Sequence, residues 1–144
     1  MSRNESNWKG ATDALEGSGV GAWCWTFGEG IEWDTCTCRL FGVAEAPTGF
    51  DGYMALIHAD DHERMNVAFS GAVERASPGA APGSYYVEHR VVREDGRECW
   101  LECRGRVEVD EAGEPVRVLG TSMEITKRKQ METELLAREE EIRL

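Results

Sequence analysis

The sequence lacks the features that mark membrane-spanning and secreted proteins. No apolar run approaches the roughly 18 residues that a transmembrane helix requires, and residues 1–6 lack the apolar core of a secretory signal. The five cysteines are an odd number without the spacing of a disulfide scaffold, which indicates free thiols in a reducing compartment. We therefore expect a cytoplasmic protein without direct membrane insertion.

Positive charge is also scarce. Sixteen Lys and Arg residues stand against 27 Asp and Glu, which gives a net charge of −11. Such an excess of negative charge disfavours contact with phosphate backbones, so no nucleic-acid partner is expected. A chain of 144 residues suits one domain with a single core.

Catalytic motifs are missing as well. The sequence contains no nucleophile motif, no Gly-rich phosphate loop and no kinase signature. Asp60, Asp61 and Glu63 resemble the paired carboxylates of an active site. They stand where a helix is predicted to begin, however, and acids are expected there because they cap the helix and interact favourably with its dipole. We expect a domain that is not an enzyme, although a longer parent protein could carry a kinase or cyclase. The alternative is a small ligand-cavity α+β enzyme with His89 or an acid as its base.

The segment 85–126 predicts three antiparallel strands joined by two hairpin turns. Residues 85–92 are rich in β-branched and aromatic side chains, and Asp95-Gly96 supplies the positive φ angles of a tight turn. Residues 99–109 alternate between apolar and polar, which is typical of a half-buried strand with its polar face in water. The third strand, 116–125, leads into a charged helical tail.

The residues before this segment predict two strands followed by helices. The strands are 20–27 and 31–33. A short helix capped by Asp34 or Thr35 ends at Gly42, and residues 50–57 predict a second one. The longest helix follows His58, with Asp60 or Asp61 as its N-cap and Glu63 as a capping-box partner. Its apolar face is Met65, Ala68, Phe69, Ala72, Val73 and Ala76.

These elements predict an α+β fold, in which a five-stranded antiparallel sheet carries short helices on one face. Residues 1–16 are predicted to form an arm or a short helix, residues 17–126 the domain and residues 127–144 a C-terminal output helix. The loop 77–84 contains two prolines and two glycines and predicts a flexible connection.

The tail predicts a helix that pairs with a copy of itself. Thr126 is its predicted N-cap, and Met131, Leu135, Arg138 and Ile142 follow a 4-3-4 heptad spacing. The basic residues at 127–129 stand at the helix start, where the macrodipole disfavours them. Such a helix is weak alone, so we expect a homodimer whose self-association is lowered when residues 127–144 are deleted. The alternative is a solvated helix that frays.

Several short motifs together resemble the PAS family, of the kind found in bacterial sensor histidine kinases of two-component systems. They are Gly21-Ala22-Trp23-Cys24-Trp25, Ile31-Glu32-Trp33, Leu40-Phe41-Gly42, Ile57-His58-Ala59-Asp60-Asp61, Glu88-His89-Arg90, Asp95-Gly96, Trp100, Gly120-Thr121 and Glu124-Ile125-Thr126. The resemblance covers about residues 17–130. The family often has Pro where Ala59 stands and Asp where Glu124 stands, and neither change removes an essential chemical group.

The resemblance implies a sensory or interaction module with a small cavity between the sheet and the helices. Alternation along the strands then predicts which side chains face the cavity. The candidate lining comprises Trp25, Phe41, Met65, Phe69, His89, Val91, Leu101, Cys103 and Ser122, with Trp23, Cys99, Val118 and Gly120 beside them. The alternative is that these residues simply fill a packed core.

The sequence assigns no cofactor. Cys36 and Cys38 resemble the cysteine motif of flavin-binding relatives, but they follow the second strand directly and stand too early. Haem would need an axial ligand such as His89, and an inward-facing strand histidine is more often hydrogen-bonded in a core. Neither Cys36 with Cys38 nor Cys99 with Cys103 has the spacing of a zinc site, so no metal is expected.

The resulting hypothesis is a homodimeric sensor that binds a small ligand or a partner. It would relay this state through its C-terminal helix to an effector domain in the same chain, such as a histidine kinase. The alternative is a dimerisation module that binds no ligand.

Overall fold

The computed structural model describes residues 17–76 and 83–143. They form a five-stranded antiparallel sheet with the strand order β2-β1-β5-β4-β3. The strands are β1 (Val20–Thr26), β2 (Gly30–Trp33), β3 (Gly83–Val92), β4 (Glu98–Val109) and β5 (Pro115–Glu124). The helices are α1 (Thr35–Phe41), α2 (Phe50–Met54), α3 (His62–Arg75) and α4 (Thr126–Arg143), with a 3-10 turn at Ala59–Asp61. The predicted α+β fold is confirmed.

Two predicted segments lie partly or wholly outside the described residues. These are the N-terminal arm, 1–16, and most of the loop predicted at 77–84; Leu144 is also outside.

The last strand occupies the centre of the sheet. Strand β5 pairs with β1 on one side, where Trp23 faces Gly120, and with β4 on the other, where Cys103 faces Ser122. The two strands from the start of the domain and the two strands of the β3–β4 hairpin therefore meet only through β5. Because α4 follows β5 directly, the strand that joins both halves of the sheet is also the strand that leads out of the domain.

Helix α1 begins and ends as predicted. The Asp34 carboxylate accepts hydrogen bonds from Thr37 N at 2.7 Å and from Ala22 N at 3.0 Å, so it caps the helix and holds it against β1. Gly42 ends the helix with a φ of 72°, a left-handed conformation that glycine adopts without strain.

Helix α2 is shorter than the predicted helix over residues 50–57. It ends at Met54 because the following backbone pairs with the free edge of β3. Val92 N donates to Leu56 O at 3.1 Å and His58 N donates to Arg90 O at 2.9 Å. Pairing with a strand edge satisfies backbone groups that a longer helix would have bonded internally.

The sequence predicted Asp60 or Asp61 as the N-cap of α3, and Asp61 stands at that position without capping the helix through its side chain. Its side chain makes no capping hydrogen bond, and it accepts hydrogen bonds from the backbone N–H of Arg90 at 2.6 Å and from its guanidinium at 2.8 Å. Arg64 adds an ion pair at 3.1 Å, and the Asp61 side chain is only 1% exposed. The carboxylate therefore ties the start of α3 to β3.

Charged side chains of α3 also cover the rest of the β3 edge. Arg64 donates to Glu88 O at 3.1 Å through Nε, and Arg75 donates to Ser84 O. An open strand edge offers unpaired backbone groups to other chains, so these side chains reduce the risk of edge-to-edge association.

The polar face of β4 is only partly in water. Arg104 and Arg106 are exposed as predicted, but Glu102 is 9% exposed. Glu102 accepts a hydrogen bond from the Tyr86 hydroxyl at 2.9 Å and lies 3.6 Å from the Arg128 guanidinium of α4. Helix α4 therefore begins over the outer face of the sheet, opposite to the face that α3 covers.

Candidate functional site

A cavity lies between the inner face of the sheet and helices α2 and α3. Its volume is about 40 Å³. A bound water needs at least about 10–15 Å³, so the cavity has room for a few water-sized molecules. Its wall is mostly aromatic and consists of Trp23, Trp25, Ile31, Trp33, Phe41, Phe50, Tyr53, Met65, Phe69, Tyr85, Val118 and Ser122.

Two facing glycines make room for the aromatic rings on the sheet. Gly105 of β4 pairs with Gly120 of β5, and their outer neighbours in the same row are Tyr85 and Trp23. A β-carbon at Gly120 would lie 2.2 Å from the Trp23 ring, and one at Gly105 would lie 2.2 Å from the Tyr85 ring. Both rings therefore lie flat across the central strands, and this sets the depth of the cavity.

Rings from three elements pack together around Trp25. Its ring lies 5.6 Å from that of Phe50 on α2 and 5.8 Å from that of Phe69 on α3, with interplanar angles of 13° and 28°. Trp33 and Tyr53 continue the aromatic wall toward Phe41, with Trp33 4.4 Å from the Phe41 ring. The aromatic rings of the wall therefore stack mainly on one another.

A buried chain of polar side chains crosses the same face of the sheet. Trp23 Nε1 donates to Ser122 Oγ at 3.0 Å, and Ser122 Oγ lies 3.2 Å from Cys103 Sγ. Cys103 Sγ lies 3.2 Å from His89 Nε2, which is 3.5 Å from the Tyr53 hydroxyl. Trp23, Ser122 and Tyr53 belong to the cavity wall, while Cys103 and His89 are buried beneath it.

Every member of this chain is uncharged near neutral pH. Burial lowers the pKa of His89 from 6.5 to about 4, an effect that the nearby backbone of Arg90 and the charge of Asp61 only partly oppose. Burial raises the pKa of Cys103 to about 11 and raises that of Tyr53 well above its usual value. The groups exchange hydrogen bonds without carrying charge, so Cys103 is an inert thiol rather than a nucleophile.

The structure brings together some of the predicted lining residues and separates others from the cavity. Trp25, Phe41, Met65, Phe69 and Ser122 lie on the wall. His89, Val91, Leu101 and Cys103 are fully buried but do not line the cavity. They sit on the predicted face of the sheet, where they form core packing or the polar chain.

Several wall residues were not among the predicted candidates. They are Ile31, Trp33, Phe50, Tyr53 and Tyr85. Phe50 and Tyr53 stand three residues apart on a helix, so they share a face, and that spacing was a usable signal. Trp33 pairs directly with Trp23 across the β1–β2 hairpin, so its face followed from the register.

The joint between β5 and α4 is fixed to one residue of β4. Trp100 O accepts a hydrogen bond from Ile125 N at 2.8 Å, and Trp100 N donates to Thr126 Oγ1 at 2.9 Å. The Thr126 hydroxyl therefore bonds to the sheet, whereas the sequence predicted a cap for its own helix. The first residues of α4 are thus registered against β4.

Charged side chains hold the first turn of α4 on the outer face of the sheet. The Glu88 carboxylate accepts hydrogen bonds from Lys129, at 3.1 Å, and from Arg128. Lys129 Nζ also lies 4.7 Å from the centre of the Trp100 ring, a cation–π distance. Basic residues that the helix dipole disfavours at this position are thus stabilised by the sheet.

Two further features are absent from the described ranges 17–76 and 83–143. Within them, no three His, Cys, Asp or Glu side chains come together as a metal site. No helix in these ranges is both long and apolar enough to cross a membrane.

Comparison with known proteins gives the fold and the site a family. A sequence model of the PAS fold matches residues 30–122. The sensor protein FixL of Bradyrhizobium diazoefficiens is 28% identical over 135 residues, which are 90% of this chain and 25% of FixL, so the chain spans about a quarter of that protein's length.

Solved structures agree with the sequence comparison. A sensory box histidine kinase/response regulator from Burkholderia thailandensis is 31% identical, with a TM-score of 0.74 over 91% of this chain and 96% of that one. A PAS domain from Colwellia psychrerythraea, at 22% identity, shares the fold with a TM-score of 0.63 over 83% of this chain and 97% of that one. The family is one of sensory modules, and the predicted resemblance is confirmed. This chain belongs to the PAS family.

Proposed function

We propose that the chain is a cytoplasmic sensor module that couples its cavity to an effector domain through α4. The observation that carries this proposal is the continuity of β5. Ser122 lies on the cavity wall, and only three residues separate it from Thr126, the first residue of α4. A change in the wall that moves β5 must act on the joint that Trp100 holds.

The proposed effector is a histidine kinase in the same polypeptide. Support comes from the relatives, since FixL is a sensor protein and the Burkholderia protein is a sensory box histidine kinase. In this division, residues 17–126 form the sensory domain and residues 127–144 the connecting helix, while the arm predicted at 1–16 lies outside the described residues.

The proposed assembly is a homodimer through α4. Most side chains on the surface of α4 are acidic or basic. The helix also exposes large apolar side chains that pack against nothing within the described parts of the chain. Met131, Leu135, Leu136 and Ile142 are 60%, 59%, 62% and 83% exposed. Burial of three or four such side chains against a second copy would stabilise a helix that is otherwise marginal.

A set of serine substitutions tests the dimer. Replacing Met131, Leu135 and Ile142 together by Ser should shift the chain from dimer to monomer in sedimentation velocity at about 10–100 µM, since apolar burial drives such pairing. The matched control replaces Glu134, Glu140 and Glu141 by Ser, which changes three exposed positions of the same helix. Equal dimer content in both triple variants would contradict the proposal.

The second candidate is a dimerisation module that binds no ligand. The small volume of the cavity, about 40 Å³, supports it. It predicts the same sedimentation result, so the two candidates differ only in whether a small molecule binds at the cavity.

A further inference from the structure

The cavity wall has a defined chemistry that limits what can bind. None of the described lining residues carries a charged side chain, and eight of them are aromatic. A carboxylate group placed here would lose its hydration without gaining an opposite charge, and an ammonium group would recover only part of that loss through cation–π contacts. The wall therefore favours neutral, flat molecules that stack between rings such as Trp25 and Phe50.

The polar atoms of the wall are few and grouped. Ser122 Oγ and the Tyr53 hydroxyl are the two ends at which the buried polar chain meets the wall. Ser122 Oγ has two contacts, from Trp23 Nε1 at 3.0 Å and with Cys103 Sγ at 3.2 Å. A hydroxyl group can accept more than one hydrogen bond and donate one, so this pair can serve a single polar group on a ligand.

The present volume is too small for an aromatic ring, and α2 is the element able to enlarge it. An apolar protein cavity of roughly 150 Å³ is known to bind benzene, whereas this one measures about 40 Å³. Helix α2 has five residues, no side-chain cap at Gly49, and backbone hydrogen bonds that stay within its own turn, such as Tyr53 N to Gly49 O. So short a helix has little stability of its own.

The side chains of α2 close the cavity directly. Phe50 and Tyr53 both belong to the wall and both are half-buried, so their outer edges face solvent. An outward movement of the start of α2 by one ring thickness would add room between Trp25 and Phe50, while the hydrogen bonds of Leu56 and His58 to β3 hold the end of the helix in place.

We propose that the cavity binds a small, neutral aromatic molecule with one hydrogen-bonding group, which enters under α2 and bonds to Ser122 or Tyr53. The inference rests on the proposed sensory function and gives the ligand a chemical class. The hydrogen bond would act on β5 at Ser122, the strand that leads to the output helix.

Three ring compounds of similar size test this class: phenol, benzene and benzoate. Each is titrated into the full chain while the indole N–H resonances of Trp23, Trp25 and Trp33 are followed by NMR. Trp100 lies on the outer face beside Lys129 and serves as the internal control. We expect phenol to bind at least about tenfold more tightly than benzoate, because the wall does not compensate a charge.

Two variants test the hydrogen bond. Ser122→Ala and Tyr53→Phe each remove one hydroxyl and keep the rest of the wall. At least one of them should weaken phenol binding by about threefold to tenfold, the usual loss for one neutral hydrogen bond, while changing benzene binding by less than about twofold. The second variant keeps the test decisive if the first one fails to fold.

Three results would overturn the proposal. They are equal binding of benzoate and phenol, shifts at Trp100 that match those at the cavity tryptophans, and no shift with any compound up to its solubility limit. Sedimentation of the α4 variants tests the proposed homodimer independently of these titrations, so failure of the ligand class and failure of the dimer would be told apart.

Discussion

The backbone N–H of Trp100 donates a hydrogen bond to Oγ1 of Thr126 over 2.9 Å, across the junction where the sheet ends and α4 begins. Together with the bond from Ile125 N to Trp100 O at 2.8 Å, it fixes the direction in which α4 leaves the domain. Two hydrogen bonds to one residue resist rotation of the helix more than either bond alone would.

Loss of the Thr126 hydroxyl should loosen the first turn of α4. Thr126→Val keeps the shape of the side chain but leaves the Trp100 N–H without its acceptor, which should cost about 1 kcal/mol. Hydrogen exchange at the amides of residues 128–131 should accelerate. Thr133→Val is the matched control, since the Thr133 hydroxyl bonds only to Lys129 O within the helix. Equal acceleration in both variants would contradict the assigned role of Thr126.

Glu88 should control how firmly α4 rests on the sheet. Glu88→Gln removes the charge that both Arg128 and Lys129 contact, so the helix start should detach more readily. The expected loss is about 0.5–1 kcal/mol at low salt and less at 1 M salt, because partly exposed ion pairs are screened. Distances between spin labels on β3 and α4 would measure the detachment of the helix start. Glu134→Gln, on the exposed helix surface, should leave the distances unchanged.

Asp61 should contribute to stability through its pairing with Arg90. Asp61→Asn should lower the free energy of unfolding by about 1–3 kcal/mol, because the amide cannot replace the charge beside two guanidinium groups. Asp60→Asn is the control, since the Asp60 side chain is 76% exposed. Urea denaturation of the two variants should separate them clearly; equal midpoints would contradict the role of Asp61.

The pairing of Asp61 also predicts a dependence on acid. Burial opposes ionisation, but the hydrogen bonds from Arg90 and the charge of Arg64 outweigh it and lower the pKa of Asp61 from 3.8 to about 2. A lowered carboxylate pKa stabilises the fold above pH 3.8, and this stabilisation is lost as the pH falls toward 2. Asp61→Asn should lack this component of acid unfolding.

His89 should make the free energy of unfolding depend on pH between 6.5 and about 4, above the range in which Asp61 acts. Its pKa falls from 6.5 to about 4 on folding, so between these pH values the unfolded chain binds a proton at His89 and the folded chain does not. The contribution of neutral His89 to the free energy of unfolding is fully present above pH 6.5. It is lost progressively as the pH falls to 4, by up to about 3 kcal/mol. In His89→Gln the slope of unfolding free energy against pH over this interval should be smaller. An unchanged slope would mean that His89 is not a neutral buried group.

Gly120 should tolerate no side chain. In Gly120→Ala the added methyl group would meet the Trp23 ring at 2.2 Å and the Arg104 carbonyl oxygen at 2.3 Å. Either the ring or the strand pairing must shift, which should cost at least about 1–3 kcal/mol. Gly71→Ala is a control of opposite sign, because Gly71 lies inside α3 and the added methyl meets only the end of the Arg75 side chain. It should stabilise the helix by about 0.5–1 kcal/mol in thermal denaturation.

The sequence alone determined the elements whose signals are local. Alternation in residues 99–109, the turn at Asp95-Gly96 and the apolar face beginning at Met65 each depend on neighbours within a few residues, so strands, hairpin and helix could be predicted. The same alternation placed His89 and Cys103 on the inner face of the sheet, which is where they lie. The junction at Thr126 was predicted from the change from strand to helix pattern.

How those elements meet depends on contacts between residues that are distant in the sequence. The pairing of Gly105 with Gly120 joins residues whose contact depends on strand register, and that register determines where the Trp23 and Tyr85 rings lie. Asp61 caps no helix because Arg90, 29 positions away, offers a stronger partner than the adjacent backbone N–H groups. The cavity volume is the small space left between large side chains that pack together from separate elements, so no local sequence pattern could predict it.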